Sequence, residues 1–126
     1  MRRIVFILAL LGALWPLVTE AVTRDNFLLR NTQDLVELCT PKDDDPLRDA
    51  AVGFCYGYGV GAFHYYQTQY SGPDSRPFVC QPNPPPSRTE TVQQFLSWVR
   101  ANPQYLNEAA VDSIFRFLKV TWPCKK

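Results

Sequence analysis

The stretch Cys55-Tyr56-Gly57-Tyr58-Gly59-Val60-Gly61 decides how the chain is read. It lies within a segment from Pro46 to Tyr70 whose residues read as one helix. Four of the chain's six glycines fall between positions 53 and 61. A helix-interior glycine costs about 1 kcal/mol relative to alanine, so something must offset the cost. Gly53, Gly57 and Gly61 are spaced four apart and share one helical face. The expected compensation is close approach of another backbone to this bare face, with aromatic walls beside it. Phe54, Tyr58 and Tyr65 form one flank; Tyr56, Phe63 and Tyr70 form the other. His64, Gln67 and Gln69 interrupt the segment and argue against a transmembrane helix.

Toward the N-terminus, Met1-Arg2-Arg3 precedes an apolar run from Ile4 to Val18. A basic start, an apolar core and small residues at Thr19 and Ala21 make a secretory signal peptide. The expected leader is residues 1–21, with the cut after Ala21, and residues 22–126 form a single domain. That domain has about 105 residues and a thin core, which covalent staples would reinforce. Without the leader, basic and acidic side chains are equal in number. A neutral domain gives no electrostatic case for nucleic acid, and none for stable membrane insertion once the leader is removed.

Cys39, Cys55, Cys80 and Cys124 all fall in the mature part. An even number in an oxidising compartment predicts two disulfides. Zinc would call for closely paired thiolates, and no Cys-x-x-Cys occurs. Four cysteines allow three pairings. Helices running antiparallel in order favour Cys80–Cys124 and leave Cys39–Cys55.

The remaining elements follow from local signals. Val22 to Arg30 reads as a loose lead-in. Thr32 caps a short helix through Leu35, Val36 and Leu38, which Pro41 ends. Asp45 caps the central helix, with Pro46 at its first position. Ser71-Gly72-Pro73-Asp74 is a turn. Phe78-Val79-Cys80 returns the chain to the core, and Gln81 to Pro86 forms a stiff connector. Ser87 and Glu90 have capping-box spacing. Val92, Phe95, Leu96 and Val99 then recur at helical period, with Trp98 at the edge. Asn102-Pro103 stops this helix and starts the last one, whose face carries Leu106, Ala110, Ile114, Phe117 and Leu118. The fold class is all-α: a small bundle of four helices stapled by two disulfides.

Catalytic signals are missing. His64 is the sole histidine, and no nucleophile elbow, metalloprotease motif or phosphate loop occurs. No catalytic residue, metal ligand or cofactor is assigned. Binding is the expected mode of action.

Leu35-Val36-Glu37-Leu38-Cys39, Cys55-Tyr56-Gly57-Tyr58 with Gly61, Phe78-Val79-Cys80-Gln81-Pro82, Asn102-Pro103 and Trp122-Pro123-Cys124 occur in that order. This pattern resembles the Rap/Tai family of bacterial periplasmic immunity proteins. The resemblance implies a helical, non-enzymatic protein, commonly a homodimer. It also implies a partner, a peptidoglycan amidase delivered by type VI secretion, whose active-site cleft the protein occludes. An occluding inhibitor needs rigid protrusions, because ordering a floppy loop costs affinity. Two places qualify: the hinge Asn102, Gln104 and Tyr105, and the connector with Gln81, Asn83 and Arg88. A periplasmic acid-stress chaperone or a structural envelope protein is the alternative reading.

Overall fold

The computed structural model describes residues 21–125. Apart from Ala21, the expected leader lies outside them. The α-helices are α1 (Thr32–Cys39), α2 (Arg48–Gln69), α3 (Arg88–Ala101) and α4 (Ala110–Thr121). Two 3-10 turns, Arg24–Leu28 and Pro103–Tyr105, complete the order. Among the described residues there is no strand, only an isolated antiparallel bridge between Val79 and Pro123.

Helix α1 is the hub and packs on α2, on α4 and on the first 3-10 turn. Its cap is Asn31, one residue before the expected Thr32; the Asn31 side chain accepts from the Asp34 N–H at 3.0 Å. Thr32 has a different task. It is fully buried, and its Oγ1 reaches Ser113 Oγ at 2.7 Å and the Glu108 carbonyl at 3.1 Å. The first N–H groups of a helix have no partner within it. Here the N–H groups of Thr32 and Gln33 donate to the carbonyls of Glu108 and Leu106, at 2.8 and 3.0 Å.

Those two bonds explain a departure from expectation. The last helix does not begin at Pro103. The chain makes a short 3-10 turn, then α4 starts at Ala110. The carbonyls of Leu106 and Glu108 serve α1 instead of a helical ladder, and the Tyr105 carbonyl accepts from Ser113 Oγ at 3.3 Å. Leu106 still packs against the core, from the loop.

The start of α2 also differs. Asp45 caps a single turn ahead of the helix: its Oδ1 accepts from Leu47 N–H at 2.8 Å and its carbonyl from Arg48 N–H at 3.0 Å. The helix itself begins two residues after Pro46. Downstream, α3 has the expected capping box. Glu90 N–H donates to Ser87 Oγ, and Ser87 N–H donates to Glu90 Oε2. Hydrogen bonding to the carboxylate from the Ser87 side chain, and then from the Ser87 N–H, holds the Glu90 carboxyl below its usual range.

The core is mostly one cluster. Phe95, Leu96 and Val99 of α3 are buried, and so are Ala110, Ile114, Phe117 and Leu118 of α4. Phe95 meets Phe117 edge-on, with centroids 5.7 Å apart. Leu35 of α1, Tyr66 of α2, Val79 and Trp122 close this cluster. Val22, Leu38 and Ala51 form a smaller one. The disulfides join Cys39 to Cys55 (Cα–Cα 5.2 Å) and Cys80 to Cys124 (4.8 Å). The first ties α1 to α2. The second ties the segment after α2 to the end of α4, where Cys80 N–H also donates to the Trp122 carbonyl.

The N-terminal lead-in is built rather than loose. Asn26 is 4% exposed, and its amide oxygen accepts from Thr23 N–H at 2.8 Å. Its Nδ2 donates to Asp34 Oδ1 and Glu37 Oε2, at 3.0 and 2.6 Å. Arg30 completes the site through Asp34. Chiefly through the Arg30 hydrogen bond, and despite burial, the Asp34 carboxyl is held below its usual value. A depressed carboxylate contributes stability above its unfolded value, about 3.9, and loses it as pH falls through the lower folded value. The contribution of Asp34 should therefore be intact at pH 5, begin to fall at about pH 4 and be gone only once the pH is below the lowered folded value. Denaturant midpoints measured from pH 6 to pH 2.5 check this, and Asp34→Asn should flatten the acid limb of the curve.

The glycine face requires a correction. Gly53, Gly57 and Gly61 are exposed, and a Cβ built on any of them meets nothing within 4 Å. No element among the described residues packs there, so packing against those elements is not their role. Ala51, Cys55 and Tyr66 carry the packing on other faces. With open space around it, Gly57→Ala should gain about 1 kcal/mol from helix propensity. A chemical-denaturation midpoint below that of the native chain would mean that something covers the face.

Candidate functional site

The hinge after α3 is a fixed surface. Asn102 closes α3: its N–H donates to the Val99 carbonyl at 2.9 Å, and its Nδ2 to the Trp98 carbonyl at 2.8 Å. Pro103 follows and sets the 3-10 turn. That turn lays the Tyr105 ring on Trp98, with centroids 5.3 Å apart and planes within 4°. The Arg116 guanidinium lies over the Tyr105 ring, 4.9 Å from its centroid. Arg116 is itself held by Glu108, with Nε–Oε2 at 2.8 Å and Nη2–Oε1 at 3.3 Å. This two-pronged bond raises the pKa of Arg116 above its usual value.

Stacking contributes about 0.5–1.5 kcal/mol beyond area burial. An exposed cation–π contact adds about 0.5–1 kcal/mol. Such a patch loses little side-chain freedom when a partner docks on it. Tyr105 and Asn102 are half-buried, whereas Gln104 is exposed. The hinge thus presents a polar edge, Gln104, beside a fixed aromatic ring and a fixed cation.

The connector ends elsewhere. Gln81 and Arg88, with Pro85 and Pro86, border an open groove of about 400 Å³ between α2 and the start of α3. Tyr56, Val60, Phe63 and His64 line its α2 side, and Leu35, Phe95, Ile114 and Trp122 belong to its floor. Asn83 is exposed and is not part of the lining. Arg88 begins α3 and Ala101 ends it. At 1.5 Å per residue the connector and the hinge lie about 20 Å apart along that helix. The structure therefore makes two separate surfaces of the six expected residues. Asn102, Gln104 and Tyr105 come together, and so do Gln81 and Arg88.

A family model described as Rap1a immunity proteins matches residues 31–124. The chain belongs to this family. No curated protein and no solved structure matches it. The region matching the Rap1a family begins at the Asn31 cap and ends at Cys124, so it contains both disulfides and both surfaces. The first 3-10 turn precedes it.

Three members of the hinge surface escape a sequence reading. Trp98 looks like the edge of an apolar face, and Glu108 and Arg116 look like solvated charges. Their spacing of eight residues crosses the non-helical segment before α4, so no helical periodicity pairs them. A tryptophan a short step before Asn-Pro is the one usable signal, since the turn folds the next aromatic back onto it.

Proposed function

We propose that the chain is an exported immunity protein that binds a type VI-secreted peptidoglycan amidase in the periplasm and blocks its active-site cleft. The observation that carries this reading is membership of the Rap1a immunity proteins over most of the chain. That membership supports a secreted effector as the binding partner. The basic and apolar start supports export, and the two cystines fit an oxidising compartment. Among the described residues no helix is long and apolar enough to cross a membrane. The family likeness also supports a homodimer.

Inhibition is steric, and the hinge is the surface that docks. Tyr105 is held by Trp98 and Arg116 before any partner arrives. Aromatic and arginine side chains dominate binding hot spots, and here both kinds are fixed next to an exposed amide. The connector is stiffened by prolines and serves as the second candidate element.

The test needs a type VI-secreted amidase, sought first in the reading frame beside that of this chain. Deleting the immunity reading frame should make cells lyse when neighbours deliver the amidase, and expression in trans should restore survival. In a purified pair, Gln104→Ala with Tyr105→Ala should weaken inhibition at least tenfold, about 1.4 kcal/mol. Because Tyr105 also stacks on Trp98, Tyr105→Phe serves as the control. It keeps the stack and should leave thermal stability unchanged. If inhibition survives the double variant, the hinge is not the inhibitory element. Replacing Asn83–Pro86 with a Gly/Ser segment then tests the connector.

A further inference from the structure

Val22 is buried, 8% exposed, although Ala21 before it is exposed. Its side chain packs with Leu38 and Ala51. Its backbone N–H donates to Asp45 Oδ2 at 2.8 Å. Asp45 is 9% exposed, and its other oxygen accepts from Leu47 N–H at 2.8 Å. No basic side chain among the described residues pairs with it. Among the described residues the ion pairs are Arg30–Asp34, Arg48–Asp43, Arg48–Asp49 and Arg116–Glu108. A buried carboxylate without a countercharge is costly, and aspartate is seldom buried unpaired. Two neutral N–H donors reduce the cost but leave the charge unbalanced.

We propose that Asp45 receives an α-ammonium, that of Val22, formed when an endopeptidase cuts the Ala21–Val22 bond of the exported chain. One water is consumed. Its oxygen joins the Ala21 carbonyl carbon as the C–N bond breaks, and a carboxylate leaves with the leader. Both of its hydrogens end on the Val22 nitrogen, which becomes –NH3+. That nitrogen already sits 2.8 Å from Oδ2, so the ion pair forms without rearrangement. Charge-assisted bonds are roughly twice as strong as neutral ones. Processing thereby locks the new N-terminus to the turn that opens α2.

The surrounding charges are otherwise engaged or distant in the bonding pattern. On α1, Asp34 is taken by Asn26 and Arg30, and Glu37 by Asn26 and Gln33. At the start of α2, Arg48 reaches Asp43 and Asp49. Among the described residues the side chains of Arg24 and Asp25 on the 3-10 turn, and of Lys42 and Asp44 in the loop, form no bond to the Asp45 carboxylate; only the Lys42 backbone carbonyl meets Asp45, accepting from its N–H at 3.2 Å. A free α-amino group titrates at about 7.7–8.0, and pairing raises that value. The added stability is then fully present below the free value and lost as pH rises through the raised one.

The ion pair rests on the proposed export and on leader removal, and the test separates the two. Intact mass and N-terminal sequencing of the chain exported by a bacterium should find Val22 first. A cut at another bond overturns this proposal alone; an uncut chain overturns the exported reading with it. Two purified, oxidised chains, one starting at Val22 and one at Thr19, are then compared by denaturant unfolding. At pH 6.5 the folding constant of the Val22 chain should be at least tenfold larger. At pH 10.5 the two should agree within twofold, and Asp45→Asn should remove the difference at pH 6.5. Equal constants at pH 6.5, or a difference that persists at pH 10.5, overturn the ammonium site.

Discussion

Tyr66→Ala is expected to remove about 4–6 kcal/mol of folding stability. The ring is 7% exposed and sits at the centre of an aromatic cluster. Its centroid is 4.6 Å from Tyr70, 5.0 Å from Phe78 and 5.1 Å from Phe115. Truncating a buried aromatic leaves a cavity and costs about 3–5 kcal/mol. The hydroxyl adds a second cost. It accepts from the N–H groups of Phe78 and Val79, both at 2.8 Å. Those donors lie in a segment with no strand partner beyond the single bridge to Pro123. Left unpaired, a buried donor costs about 1–3 kcal/mol. Tyr66→Phe isolates that part: it keeps the ring and should cost about 2 kcal/mol. Urea unfolding of the two variants separates packing from hydrogen bonding. Equal stability of Tyr66→Phe and the native chain would show that the hydroxyl does not hold the returning segment.

Replacing Cys80 and Cys124 together with alanine should cost about 4 kcal/mol, and replacing Cys39 and Cys55 about 3 kcal/mol, from loop-closure entropy. The difference comes from sequence separations of 44 and 16 residues. The longer loop spans all of α3 and all of α4, so its removal frees more of the unfolded chain. A domain of this size has a stability of about 5–15 kcal/mol in all. Loss of the Cys80–Cys124 bridge should therefore move the denaturant midpoint by a large fraction of its value. Free-thiol titration of the unfolded, unreduced native chain should find none. If the short bridge proves the more costly to lose, chain entropy does not set the order of the two bridges.

Much of this architecture is legible because local and long-range signals agree. The Ser87–Glu90 box and the period of Phe95, Leu96 and Val99 place α3 where it is found. The pairing expected from antiparallel helices is the pairing observed. Elements that depend on distant partners are harder to read. Four-residue glycine spacing marks a face of α2 but carries no information on what covers it, and among the described residues nothing does. The break between Pro103 and Ala110 arises because α1 draws on the carbonyls of Leu106 and Glu108. The order of the N-terminal lead-in comes from Asn26 reaching Asp34 and Glu37 across a turn. Tyr66 is one tyrosine among six, and nothing local separates it from exposed Tyr65. At the hinge, Gln104 and Tyr105 are legible from the Asn-Pro turn. Trp98 gives only the weak signal of an aromatic shortly before Asn-Pro, and Arg116 gives none, since it reaches Tyr105 only after α4 has packed beside the turn.

Protection by direct binding is tested most directly by titrating the proposed partner, a type VI-secreted peptidoglycan amidase, with the oxidised chain and following peptidoglycan cleavage. Activity should fall linearly and reach zero at a fixed stoichiometric ratio, with a complex of matching composition on gel filtration. Full amidase activity in the presence of excess chain, with no complex formed, would contradict an occluding immunity protein.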